Sequence, residues 1–186
     1  HKITPPGYPH HITFEWQEPY RARRIDELLA ALPKHGAPSF ARMQLDTLSL
    51  AARELLPKLL STKTRTTESQ AALELLKAWD GNMALDRAEP LILVAWWREL
   101  ARAIFADELG EAFRGAWSSR PAFVNNVLAN RDGQARWCDD VRTAGKESCA
   151  DLLALSLESA LGDLRRRYGE QRNWKWGEAH EARLRH

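Results

Sequence analysis

The stretch Glu15-Trp16-Gln17-Glu18-Pro19-Tyr20-Arg21-Ala22-Arg23-Arg24-Ile25-Asp26-Glu27-Leu28-Leu29 marks where irregular chain gives way to a first helix. From Ile25 onward the apolar residues Ile25, Leu28, Leu29 and Leu32 fall at i, i+3, i+4 and i+7, so they share one helical face and leave Arg23, Arg24, Asp26 and Glu27 off it. Three arginines and two aromatic rings crowd the junction, and Arg21 stands at the mouth of the helix. A solvated basic turn is the ordinary reading of such a cluster; the sharper one is an arginine aimed at a target.

Upstream, Pro5, Pro6, Pro9 and Pro19 lack amide donors and fix φ, which predicts an extended or turning arm over residues 1–19. Within it Ile12, Phe14 and Trp16 alternate with polar residues, as in one edge strand or a strip laid on a neighbouring surface. Downstream the helical period recurs. The first helix stops at Pro33. A second tract runs from Phe40 to about Ser61, with Ser39 as its N-cap and Pro57 as a kink or break. A third is capped by Thr67 or Ser69, turns Leu73, Leu75 and Leu76 inward, and ends near Trp79-Asp80-Gly81.

Pro90 suits the first turn of a helix so apolar around its start that it should be central. Shorter pieces follow over Asp107 to Phe113 and Pro121 to Asn130. Ser148 caps a long helix through Tyr168 that Gly169 ends. The chain thus reads as mainly α: a single irregular domain over residues 1–186, with the arm at 1–19 and about seven helices in 20–186.

Composition agrees with one folded unit. The 186 residues are 44% hydrophobic and 28% charged, and the net charge of +2 is too small to imply nucleic acid or a membrane surface. The longest apolar run, Pro90 to Trp97, falls short of the roughly 18 residues that cross a bilayer. Eight tryptophans read as gap-fillers between helices. Because the chain opens on His1 with no charged leader and apolar stretch behind it, it reads as an internal piece of something longer.

Most self-contained chemistries are missing. Gly-rich phosphate loops, a GxSxG elbow and an EF-hand pattern do not occur, and His180 and His186 are six apart where a zinc-protease helix needs four. His10 and His11 point to opposite sides of an extended arm and make a poor chelate. Asp80 and Asp86 around Gly81 read as helix punctuation rather than a cation loop. Cys138 and Cys149 are too few for zinc; a disulfide and two buried thiols are both compatible with their spacing. Trp174 and Trp176 with Arg165, Arg166, Arg167 and Arg172 are a base-stacking candidate, but interspersed acids favour a solvated helix end over packed indoles.

Five phrases in order carry a resemblance: Trp16…Pro19-Tyr20-Arg21-Ala22-Arg23-Arg24-Ile25, Met43-Gln44-Leu45-Asp46-Thr47-Leu48-Ser49, Trp79-Asp80-Gly81, Trp137-Cys138-Asp139-Asp140…Glu147-Ser148-Cys149, and Trp174-Lys175-Trp176-Gly177-Glu178-Ala179-His180. Together they resemble the penicillin amidase family of N-terminal-nucleophile hydrolases, over almost the whole chain. The resemblance implies a helical segment of the large (β) chain of an autoprocessed periplasmic acylase, a zymogen of larger αββα architecture. Such enzymes cleave the amide bond of penicillins, acyl-homoserine lactones or similar small N-acyl compounds, chemistry that includes antibiotic biosynthesis. The partners implied are the α chain and the rest of the β chain, with no nucleic acid and no membrane.

In that family the nucleophile is a serine at the β-chain N-terminus whose own α-amino group is the base, and no such serine is present here. The resemblance makes Arg21 the arginine that steadies an oxyanion-hole asparagine lying outside this chain. It makes Phe14, or failing that Trp16, the aromatic of the acyl pocket, and it joins Cys138 to Cys149 in an oxidising compartment. No cofactor is expected. Some members bind calcium through an aspartate in this arm, but Pro9-His10-His11-Ile12-Thr13 offers no carboxylate. The rival class is a helical binding or scaffold module, including one for nucleic acid, with no catalysis of its own.

Overall fold

The computed structural model describes residues 4–5, 7–14, 17–116 and 120–181. Among them the chain forms nine α-helices: α1 (Tyr20–Ala30), α2 (Ala37–Gln44), α3 (Leu50–Leu59), α4 (Thr67–Lys77), α5 (Glu89–Leu109), α6 (Phe113–Ala116), α7 (Pro121–Leu128), α8 (Cys149–Tyr168) and α9 (Trp176–Ala179). Tighter 3₁₀ turns occupy Gly110–Ala112, Arg131–Cys138 and Gln171–Asn173. The described residues contain no strand; the one β pairing among them is an isolated antiparallel bridge between Leu48 and Asn82. Among the described residues of the arm the alternation builds no strand: Ile12 is 46% exposed and Phe14 92% exposed. No helix among the described residues is long and apolar enough to cross a membrane.

Helix α5 is the axis of the packing, as its apolar start predicts. It lies mainly against α8, with α4 touching both and α7 resting on α3. Leu91, Ile92, Leu93, Trp96, Leu100 and Ile104 of α5 meet Leu152, Leu157, Leu161 and Leu164 of α8 in one buried cluster, which Leu55, Leu59, Leu76, Val124 and Val127 extend. Trp96 is wholly buried, and its indole N–H donates to Leu153 O at 3.1 Å and Ser156 Oγ at 3.0 Å. Trp79 and Trp174 are buried as well, while Trp97, Trp137 and Trp176 pack against the cluster from its edge. At the start of α5 the buried Glu89 carboxylate pairs with Arg87.

Several boundaries differ from those read in the sequence, each for a local reason. The tract from Phe40 to Ser61 is two helices, α2 and α3, because Thr47 and Ser49 turn their backbones to Met83 and Gly81 and Ser49 caps α3, accepting from Ala52 N at 3.2 Å. Ser39 does not cap α2. Gly36 does, and Ser39 sits at the third position, its hydroxyl accepting from Gly36 N at 3.0 Å. Pro57 lies within α3 without ending it.

Helix α4 is capped by Thr66, not Thr67 or Ser69, with Thr66 Oγ1 and Ser69 Oγ each accepting from the other residue's amide at 3.1 Å. Leu75 is 38% exposed, since it lies off the face that Leu73 and Leu76 share. The piece from Asp107 to Phe113 is no separate helix: α5 continues to Leu109, and a 3₁₀ turn leads on into α6.

Cys138 and Cys149 form a disulfide across a sequence separation of 11, tying the buried end of the 3₁₀ turn to the first residue of α8. Side chains organise the loop it closes. Glu147 accepts from Asp140 N at 3.1 Å and from Thr143 Oγ1 at 2.8 Å, and Arg142 forks onto Asp140 at 2.8 and 2.6 Å. That pairing holds the Asp140 carboxyl at about 2, through the Arg142 side-chain bond first and the Arg142 amide second. Closing a loop of this length constrains the unfolded chain by about 3 kcal/mol. Replacing both cysteines by serine is expected to lower the unfolding free energy by about 2–3 kcal/mol in urea titrations of the full-length protein under oxidising conditions. An unchanged midpoint would show that the side-chain bonds hold the loop unaided.

Candidate functional site

No residue of α1 is buried, although Ile25, Leu28, Leu29 and Leu32 share one apolar face. Ile25 is 43% exposed, Leu29 40% and, just beyond the helix, Leu32 43%. This face instead forms one wall of an open groove of about 770 Å³, whose other wall is Phe40, Met43 and Gln44 of α2 and whose floor is the corner Asp46–Leu50. Arg21, in the first turn of α1, stands in the same groove, one and two turns before Ile25 and Leu28. It makes no hydrogen bond or ion pair with the described residues, so its five N–H donors remain available.

The other arginines of the junction are engaged. Arg24 forks onto Asp46, Nε to Oδ2 at 2.9 Å and Nη2 to Oδ1 at 2.7 Å, and its third arm reaches Glu27 at 3.1 Å. The hydrogen bond from Arg24 is the main reason the Asp46 carboxyl lies below its usual range, and the same bond pushes the guanidinium up. Arg23 makes a looser pair with Glu54 at 3.4 Å and lies 6.0 Å from the Tyr20 ring centre. Burial, then the charges of Glu54 and Glu18, raise the Tyr20 hydroxyl to about 12, so it stays a proton donor to Glu54. Glu54 in turn accepts from Asn125 Nδ2, and Asn125 Oδ1 accepts from Lys58, which joins α1, α3 and α7 through one polar chain.

The phrases singled out in the sequence meet one another at joints. Met43–Ser49 and Trp79–Gly81 form a clasp: Ser49 N donates to Gly81 O at 2.9 Å, Met83 N to Thr47 O at 3.1 Å, Arg53 Nε to Asp80 O at 2.7 Å and Trp79 Nε1 to Asn82 O at 2.8 Å. Gly81 has φ +88°, and a Cβ there would stand 2.9 Å from Arg53 Cγ, so the clasp closes only around glycine. The last phrase docks on the next loop, with Trp176 N and Gly177 N donating to Arg87 O and Leu85 O at 2.8 Å each. A side chain at Gly177 would meet Leu85 O at 3.1 Å.

Of the residues read as functional, the groove holds Arg21 alone. Phe14 lies outside it, exposed, with its ring 4.1 Å from that of His11. Trp16 lies outside the described residues. The disulfide belongs to the α8 end and takes no part in the groove. The residues missed were Arg24 and Asp46; their signal was the pairing of an Arg-rich helix start with an acid inside Met43–Ser49, which spacing alone does not connect.

The basic tract near the C-terminus is largely neutralised: Arg165 pairs with Glu68 at 3.0 Å, Arg167 with Asp163 at 3.0 Å and Arg172 with Glu170 at 2.8 Å. Trp174, only 2% exposed, donates to Gly169 O at 3.0 Å and offers no face for a base. The arm residues 7–14 carry no carboxylate.

Comparison with known proteins bears on the whole chain. The family model described as penicillin amidase matches residues 1–186. The acyl-homoserine lactone acylase QuiP of Pseudomonas aeruginosa is 32% identical over 97% of this chain and 24% of its own length. Its namesakes in Pseudomonas putida and Pseudomonas fluorescens are each 30% identical over 96% of this chain and 24% of theirs. The chain therefore spans about a quarter of the length of these curated relatives. A family match that runs over residues 1–186 makes this chain a member of the penicillin amidase family.

Proposed function

We propose that this chain is the helical segment of an acylase that hydrolyses the amide bond of small N-acyl compounds, of acyl-homoserine-lactone or penicillin type, with a serine nucleophile outside these 186 residues. The observation that carries the reading is Arg21: a guanidinium with no partner among the described residues, at the mouth of an apolar groove, while its neighbours Arg23 and Arg24 are paired with Glu54 and Asp46. Its role is to orient an asparagine that donates to the developing oxyanion, which a rigid planar fork does better than an ammonium. The remaining parts of the acylase are the partners that complete the site, and Phe14, or failing that Trp16, is the aromatic of its acyl pocket. The acylase is periplasmic and matures from a zymogen. The relatives named as acyl-homoserine lactone acylases support the substrate class.

The test is hydrolysis of N-acyl-homoserine lactones and of a penicillin, followed as release of the free amine. The full-length protein is expected to turn over at least one of the two, and the 186 residues alone neither. A full-length protein inert towards both would overturn the reading, and hydrolysis by the isolated chain would overturn the external nucleophile.

A further inference from the structure

Helix α1 carries Arg21 yet buries none of its residues, so apolar packing does not set its rotation about its own axis. Polar contacts must. Arg21, Arg24 and Leu28 follow at i, i+3 and i+7, and all three line the groove, so whatever fixes the direction of Arg24 fixes the direction of Arg21. Arg24 is held by two parallel bonds to Asp46 at 2.9 and 2.7 Å, a geometry that restrains direction as well as distance. Asp46 is itself fixed: its amide donates to Met43 O at 3.3 Å, and its neighbours Thr47 and Ser49 are clasped to Met83 and Gly81. On the other side of α1 the Tyr20 hydroxyl and Arg23, the latter at 3.4 Å, meet the exposed Glu54 by single bonds, without the two-point fork that holds Arg24.

We propose that Arg24 and Asp46 are positioning residues for Arg21, transmitting the rigidity of the clasp at Gly81 to the first turn of α1 so that the Arg21 guanidinium is aimed before substrate arrives. The inference rests on the functional reading of Arg21 given above. Neither residue touches the reacting atoms. They act by removing the small rotations of α1 that would swing a long side chain by an ångström or more at its tip, a misplacement of the size that costs about 10²-fold in rate.

The experiment uses the full-length protein and N-acyl-homoserine lactone hydrolysis. Asp46→Asn keeps the size of the side chain and breaks the charged fork. It is expected to lower kcat about tenfold with KM changed less than twofold and the thermal midpoint nearly unchanged. Arg24→Gln should do the same, and the exchanged pair Arg24→Asp with Asp46→Arg should recover part of the loss, which a merely destabilised fold would not. In an Arg21→Ala background Asp46→Asn should have no further effect. Unchanged kcat in Asp46→Asn and Arg24→Gln, beside a large loss in Arg21→Ala, overturns the positioning role while leaving the role of Arg21 standing. Fully additive losses overturn it too, because they place Asp46 on a separate route. No loss in Arg21→Ala removes both.

Discussion

Arg21→Ala in the full-length protein is expected to lower kcat for N-acyl-homoserine lactone hydrolysis by about 10²-fold, the size of effect seen when a donor aimed at an oxyanion is lost or misdirected. Stability should hardly move. Arg21 is exposed on α1, and its guanidinium has no ion pair or hydrogen bond with the described residues to lose. KM should change little, because a group that orients a transition-state donor contributes most where negative charge develops. Arg21→Lys separates charge from geometry. If the planar fork matters, lysine restores only a fraction of the rate; if positive charge alone matters, it restores most of it. Steady-state kinetics with a thermal melt of each variant reads all of this, and kinetics equal to the parent's would strip Arg21 of its role.

Trp96→Ala should be the most destabilising single change in the domain, by about 3–5 kcal/mol. Trp96 is wholly buried where α5 crosses α8, the largest contact between elements, so its loss leaves a cavity that two long helices are poorly placed to close. The indole N–H also bridges Leu153 O and Ser156 Oγ, so truncation removes a buried donor from both, leaving Leu153 O with the Ser156 hydroxyl. Trp96→Phe fills most of the volume and loses only the bridge, for about 1–2 kcal/mol. Urea unfolding of the full-length protein, followed by circular dichroism, measures both. Equal costs for alanine and phenylalanine would show that the hydrogen bonds, not the packing, make this position sensitive.

The helical order was legible in the sequence wherever a cap and an apolar period coincided. Ser148 and Gly169 bound α8 as expected, and Pro90 opens α5, because these residues act on their own backbone within one turn. The reading failed where a distant segment intervenes. Residues 45–49 have the composition to continue a helix but are drawn into the clasp with 79–83, a contact some 35 positions away that no local pattern reports. The face of α1 shows the same limit from the other side. Ile25, Leu28, Leu29 and Leu32 have the spacing of a packed stripe, yet periodicity records only that a face is apolar, not what covers it. The candidate site divides likewise: Arg21 stands out in the sequence by its register within one phrase, whereas the fork of Arg24 onto Asp46 does not, because it joins residues 22 positions apart.

What the sequence by itself determined, then, is the helical class, the capping of α8 and the family. These follow from short-range chemistry and from ordered phrases that survive without a structure. Only the tertiary structure decided that those phrases are the joints of the domain, that Arg23 and Arg24 are occupied while Arg21 has no partner among the described residues, and that the apolar face of α1 lines an open groove. The physical reason is that a charge or an apolar side chain acquires its meaning from what lies within a few ångströms. For α1 those neighbours come from α2, α3 and the corner between them.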